Sequence, residues 1–104
     1  MKSTKDAIFR ARDLKAVKAF YGGKLGLPLI AESDSLVGFD TGAFTLYFEL
    51  GEPDGPVFEF TVDDAARAKA DLIAGGCVVI EENPAVPRIY LRDPFGLVFN
   101  ITEA

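Results

Sequence analysis

Histidine and tryptophan are absent from this chain, and cysteine and methionine occur once each. Without histidine there is no Ser–His–Asp or Cys–His nucleophile and no His-ligated zinc. Cys77 alone forms neither an internal disulfide nor a thiolate metal cage. No apolar run is long enough to cross a membrane, and the N-terminal MKSTKDAIF lacks the apolar stretch of a secretory signal. With a lone thiol, this leads to the expectation of a reduced, cytoplasmic setting. Basic residues are also scarce, 11 Lys/Arg against 16 Asp/Glu for a net charge of −5. A phosphate-backbone binder needs a basic surface, so nucleic acid is not an expected partner.

What is present fits one folded domain over residues 1–104. The chain is 49% hydrophobic and 26% charged, an ordinary globular balance. At this length one core buries most of the apolar surface without staples. The charge is uneven: residues 1–24 carry seven Lys/Arg against two Asp, the remainder four against fourteen. The acidic remainder is read two ways, as an attractor of cationic ligands or as a plain acidic surface.

Hydrophobic periodicity yields strand–helix–strand–strand–strand, twice. Ala7, Phe9 and Ala11 alternate with Ile8, Arg10 and Arg12 as in a half-buried strand. Asp13 stands where a helix N-cap belongs, before Leu14, Val17 and Tyr21 at helical spacing, and Gly22-Gly23 is expected to stop that helix. Residues 28–31, 36–40 and 44–50 read as three strands. GEPDGP at 51–56 is the one linker-like stretch, between a module at 6–50 and another at 57–103. In the second module 57–62 is a strand and Asp63 or Asp64 caps a helix over 65–74. Residues 78–81, 88–92 and 97–102 complete it. Asp93-Pro94-Phe95-Gly96 has the chemistry of a type I turn and closes a hairpin.

The halves align at an offset of 51. Ala7, Phe9 and Ala11 fall on Phe58, Phe60 and Val62; Asp13 falls on Asp64; Leu46, Phe48 and Leu50 fall on Leu97, Phe99 and Ile101. Each set is one face of a strand. The pattern is an internal duplication of a βαβββ unit, an α+β fold in which each helix covers one face of its sheet. A ferredoxin-like βαββαβ domain uses fewer strands and leaves the offset unexplained. The opposite face carries Asp6, Ile8 and Arg10 with Thr45, Tyr47 and Glu49 in the first half. The second half places there Val57, Glu59 and Thr61 with Val98, Asn100 and Thr102, joined by Arg88 and Tyr90. Such a face is either plain solvent-facing sheet or the lining of a curved ligand cup.

The stretch ARDLKAVKAFYGGKLGLPLI resembles the first-module motif of the vicinal oxygen chelate superfamily: Asp13-Leu14, then Phe20-Tyr21, then Leu25-Gly26-Leu27. FEFTVDDAARAKADLIAGG and RDPFGLVFNITE resemble its second module, so the likeness covers about residues 6 to 103. That superfamily includes glyoxalases, extradiol dioxygenases and fosfomycin- and bleomycin-resistance proteins. The resemblance implies a curved mixed-sheet cup, with metal ligands at positions that map onto Asp6, Glu49, Val57 and Asn100. The spacing is 43 residues in each half, but the chemistry has changed. Valine donates nothing, and asparagine offers a neutral carbonyl. Two carboxylates and an amide hold a weak hard cation at best, whereas a transition-metal site takes three or four fitting ligands. The expectation is no metal and no other cofactor, similar to the bleomycin-resistance branch.

The expected ligand site therefore comprises Tyr47, Glu49, Glu59, Arg88, Tyr90 and Asn100. The tyrosines stack on a planar or cationic compound, or simply cover the sheet. Glu49 is either a functional carboxylate or the ion-pair partner of Arg10 or Arg88. Cys77 reads as a small buried hydrophobe, and the loop 81–87 as a cover for the cup or as plain surface. Exposed sheet edges predict a homodimer. The function this implies is metal-independent small-molecule binding, with drug sequestration, as in antibiotic resistance, as one form of it. The alternative is a glyoxalase- or dioxygenase-like enzyme using a weakly held divalent cation at Asp6, Glu49 and Asn100, or Glu49 as general base.

Overall fold

A computed structural model describes all 104 residues, which form two compact units: residues 5–56, and residues 57–104 with 1–4. In chain order the elements are β1 (Lys2–Ala11), α1 (Leu14–Val17) continued by a π-helical turn (Lys18–Lys24), β2 (Leu29–Glu32), β3 (Leu36–Asp40) and β4 (Thr45–Leu50). There follow β5 (Asp54–Val62), α2 (Ala65–Ala74), β6 (Val78–Asn83), β7 (Arg88–Arg92) and β8 (Val98–Glu103). The fold is the duplicated βαβββ, α+β arrangement that the periodicity predicts. β5 starts at Asp54, inside the stretch that reads as a linker. Neither helix is long and apolar enough to cross a membrane.

In the first unit the strands run in the order β2-β3-β4-β1, with β1 and β4 parallel and the other pairs antiparallel. Asp13 caps the helix, its Oδ1 accepting the Ala16 N–H at 3.1 Å. Gly22-Gly23 does not stop it. The helix widens into the π turn, in which the Leu25 N–H reaches the Phe20 carbonyl at 2.9 Å, and the chain leaves through Gly26 at φ 71°. Both Gly22 and Gly23 keep negative φ; the left-handed stop that favours glycine comes three residues later. Val37, Phe39, Leu46 and Phe48 form the core beneath this helix, joined by Phe9, Leu14, Val17 and Tyr21. Phe39 is fully buried.

The second unit repeats the plan in the order β5-β8-β7-β6, with β5 and β8 parallel. Asp64, rather than Asp63, is the cap: its Oδ1 accepts the Arg67 N–H at 3.1 Å. Here the glycine pair does end the helix, with Gly76 at φ 106° and the Cys77 N–H returning to the Leu72 carbonyl. The core is Val62, Leu91, Phe99 and Ile101, with Phe60, Ala65, Ala68, Leu72 and Cys77 packed against it. Full burial of a Leu or Phe of this kind contributes about 1.5–3 kcal/mol. The 93–96 turn forms as its composition dictates, with the Gly96 N–H donating to the Asp93 carbonyl at 3.2 Å.

The single offset of 51 needs correction. It holds for the helix caps, but Ala7 pairs with Leu46 whereas Phe58 pairs with Phe99. The last strands therefore correspond at 99 − 46 = 53. Longer hairpin connections in the second unit supply the extra residues. A shift of two leaves every side chain on its face, so the assignment of faces survives the slip.

Candidate functional site

On the first unit's polar face, residues on neighbouring strands form rows across the sheet. Ala31, Gly38, Tyr47 and Ile8 make one row, from β2, β3, β4 and β1 in turn. Tyr47 lies over Gly38: a Cβ there would stand 2.7 Å from Tyr47 Cε1 and 3.2 Å from the Ala31 Cβ. The half-buried ring thus rests on backbone because position 38 has no side chain. Arg10 and Glu49 form the adjacent row, paired at 3.9 Å between Nε and Oε1. Arg10 is one of the two arginines weighed as partners for Glu49, and it pairs with it. Asp6 and Thr45 form the row on the other side. Burial pushes the Asp6 carboxyl above its ordinary pKa, because desolvation disfavours the charged form.

On the second unit's polar face, Glu81, Tyr90, Asn100 and Glu59 form one row from β6, β7, β8 and β5. Asn100 is only 6% exposed, and it is a connector. Its Oδ1 accepts the Ile89 N–H at 2.9 Å, and its Nδ2 donates to Glu59 Oε2 at 3.1 Å. Arg88 pairs with Glu81 at 2.9 Å, with its guanidinium 5.0 Å from the centre of the Tyr90 ring. Tyr90 is 4% exposed. Of the two tyrosines singled out in the sequence, Tyr47 is half-buried, while Tyr90 is buried with a cation over its ring. Glu81 belongs to β6, and the loop beyond it is a tight turn in which Asn83 Oδ1 accepts the Ala85 N–H at 3.0 Å.

Within each unit, the positions implied as metal ligands do not share a row of the ladder. Asp6 stands beside Thr45, whereas Glu49 stands beside Arg10, four residues further along β4. At the strand rise, that separates their rows by about 13 Å. Val57 has no donor atom, and Asn100 stands beside Glu59. Equal sequence spacing does not imply one row, since register is set by the ladder. No group of three or more His, Cys, Asp or Glu side chains converges anywhere in the chain. A transition-metal centre requires such a set, so the residues do not fit one.

Sequence reasoning missed Gly38 and Glu81. A small residue at the strand position facing Tyr47 was the available signal for Gly38. Glu81 is the last residue of the expected strand 78–81 and the first of the expected loop 81–87; β6 runs two residues beyond that end, which places it inside the ladder.

The profile of the glyoxalase-like domain family matches residues 6–102. No curated protein matches. A glyoxalase/bleomycin resistance protein/dioxygenase superfamily member from Vibrio splendidus 12B01 is similar in structure, with 15% identity and a TM-score of 0.70 over 99% of this chain and 100% of that one. The Mn(II)-bound glyoxalase from Novosphingobium aromaticivorans has 21% identity and a TM-score of 0.64, with 98% of this chain and 38% of that one covered. An extradiol ring-cleaving dioxygenase from B. fuscum has 18% identity and a TM-score of 0.72, covering 99% and 32%. The chain thus spans about a third of the length of these two enzymes, and at such identities the likeness is one of fold.

Proposed function

Starting from a chain that belongs to the glyoxalase-like domain family, we propose that it is a metal-independent small-molecule-binding protein. The observation that supports this reading is the donor chemistry at the four positions: Val57 has no donor atom, the Asn100 amide is engaged by Ile89 and Glu59, and Asp6 and Glu49 stand four residues apart along their ladder. The first unit supplies an aromatic surface at Tyr47 flanked by the Arg10–Glu49 pair. The second supplies the carboxylates Glu59 and Glu81, held by Asn100 and Arg88. The ligand chemistry these residues favour is a planar or cationic compound, held by stacking and by negative potential. Sequestration is the proposed mode of action, as in drug-binding resistance proteins; no bond is broken. A homodimer in the cytoplasm completes the reading. The second reading is an enzyme with Glu49 as general base, which requires that carboxylate to reach a substrate proton.

Calorimetry against basic glycopeptides and planar cationic antibiotics tests the proposal. Saturable heat lost in Tyr47→Ala is the expected result. Turnover of a substrate, with no heat from any of these compounds, overturns it.

A further inference from the structure

The two carboxylates in the second unit's polar row are not equivalent. Along Glu81, Tyr90, Asn100 and Glu59, the Glu81 carboxylate is met by the Arg88 guanidinium at 2.9 Å. Glu59 has no such partner. It makes no ion pair within the chain, and its one side-chain hydrogen bond is the 3.1 Å contact from Asn100 Nδ2 to Oε2. No buried side-chain oxygen in the chain lacks a hydrogen-bond partner, so the unpaired Oε1 of this half-buried residue reaches the surface.

Burying part of a carboxylate without a counter-charge costs free energy, and this one is also held in place. Asn100 is 6% exposed; its Oδ1 is fixed by the Ile89 N–H at 2.9 Å, which aims Nδ2 at Glu59. A fixed carboxylate with one open oxygen is preorganised for a cation. The geometry also selects the cation. A guanidinium is met best by both oxygens of a carboxylate, in two parallel bonds. Here Oε2 already accepts from Asn100, so Oε1 is the oxygen left for a ligand. One oxygen suits an ammonium, a compact point charge.

We infer that Glu59 is the contact for the ligand's cationic group, that this group is an ammonium rather than a guanidinium, and that Asn100 is the positioning residue behind it. The inference rests on the binder reading above and narrows its ligand class to amines.

Titration of the full chain with phenethylamine, phenethyl alcohol and phenethylguanidine tests it, followed by the amide signals of β5 and β8 in nitrogen–proton correlation spectra. The three probes share a planar ring and differ in the head group. The amine is expected to bind at least about tenfold more tightly than the alcohol, and more tightly than the guanidine. Glu59→Gln, whose amide oxygen still accepts from Asn100, is expected to bring the amine down to the level of the alcohol. Asn100→Ala is expected to narrow the amine preference at least about threefold, whereas a purely structural loss weakens all three probes alike. Equal binding of amine and alcohol by the wild type, or an amine preference that survives Glu59→Gln, overturns the inference and leaves the binder reading standing. A guanidine that binds as tightly as the amine overturns the single-oxygen contact. No saturation by any probe also overturns the inference, and the binder reading then falls only if the antibiotic calorimetry fails as well.

Discussion

The two units share a helix-side core and differ on the opposite face. Beneath the helices, Phe39 and Leu46 in one unit correspond to Leu91 and Phe99 in the other. On the polar face, the third strand contributes Gly38 in the first unit and Tyr90 in the second; the last strand contributes Tyr47 and Asn100. The aromatic ring has changed strands. In the first unit it lies over a glycine and stays half-exposed. In the second it is buried beneath Arg88, and an asparagine takes over part of the ladder by accepting the Ile89 N–H. Duplicated modules keep the packing that folding requires, and their other faces are free to diverge toward separate roles.

The comparison is broken most severely through the cores. Phe39→Ala and Leu91→Ala each remove a fully buried side chain. Each is expected to cost about 3–5 kcal/mol in urea unfolding, and a loss under about 1 kcal/mol at either site would mean that the two cores are not equivalent. Gly38→Ala comes next, because its Cβ must displace the Tyr47 ring. It should cost about 1–3 kcal/mol. Most of that loss should disappear in a Tyr47→Ala background, so a double-mutant cycle checks the coupling directly.

Asn100→Ala sharpens the contrast on the other side. It leaves the Ile89 N–H without its acceptor and releases Glu59. The expected loss is about 1–3 kcal/mol, accompanied by faster hydrogen exchange at Ile89. The smallest effect is at Asp6, whose folded-state pKa burial raises. A raised carboxyl penalises the folded state above its folded-state pKa and stops doing so below the unfolded value. Asp6→Asn should therefore be slightly more stable than wild type at neutral pH, and the difference should vanish in acid; a gain that grows on acidification would contradict the assignment.

Much of this architecture was legible because alternation and caps are local signals. Asp13, Asp64 and the Asp93–Gly96 turn each declare themselves within four residues. The faces were also readable, since an even register shift preserves them. Register itself was not. Equal spacing from Asp6 to Glu49 and from Val57 to Asn100 suggests equivalent pairs, yet hairpin lengths and ladder pairing place these residues in different rows. The role of Gly22-Gly23 was hidden for a related reason: whether a glycine ends a helix depends on its φ, which here turns positive only at Gly26. Side-chain roles that depend on neighbouring strands, such as Asn100 completing the ladder, lie beyond any pattern along a single strand.

The most direct test is the metal content of protein purified without chelator, followed by titration with Mn(II), Ni(II) and Zn(II) in the calorimeter. The account predicts substoichiometric metal and no saturable site for any of the three ions, with Tyr47-dependent ligand binding unaffected by chelator. One tightly held ion per chain, lost on substitution of Asp6 or Glu49, would contradict it.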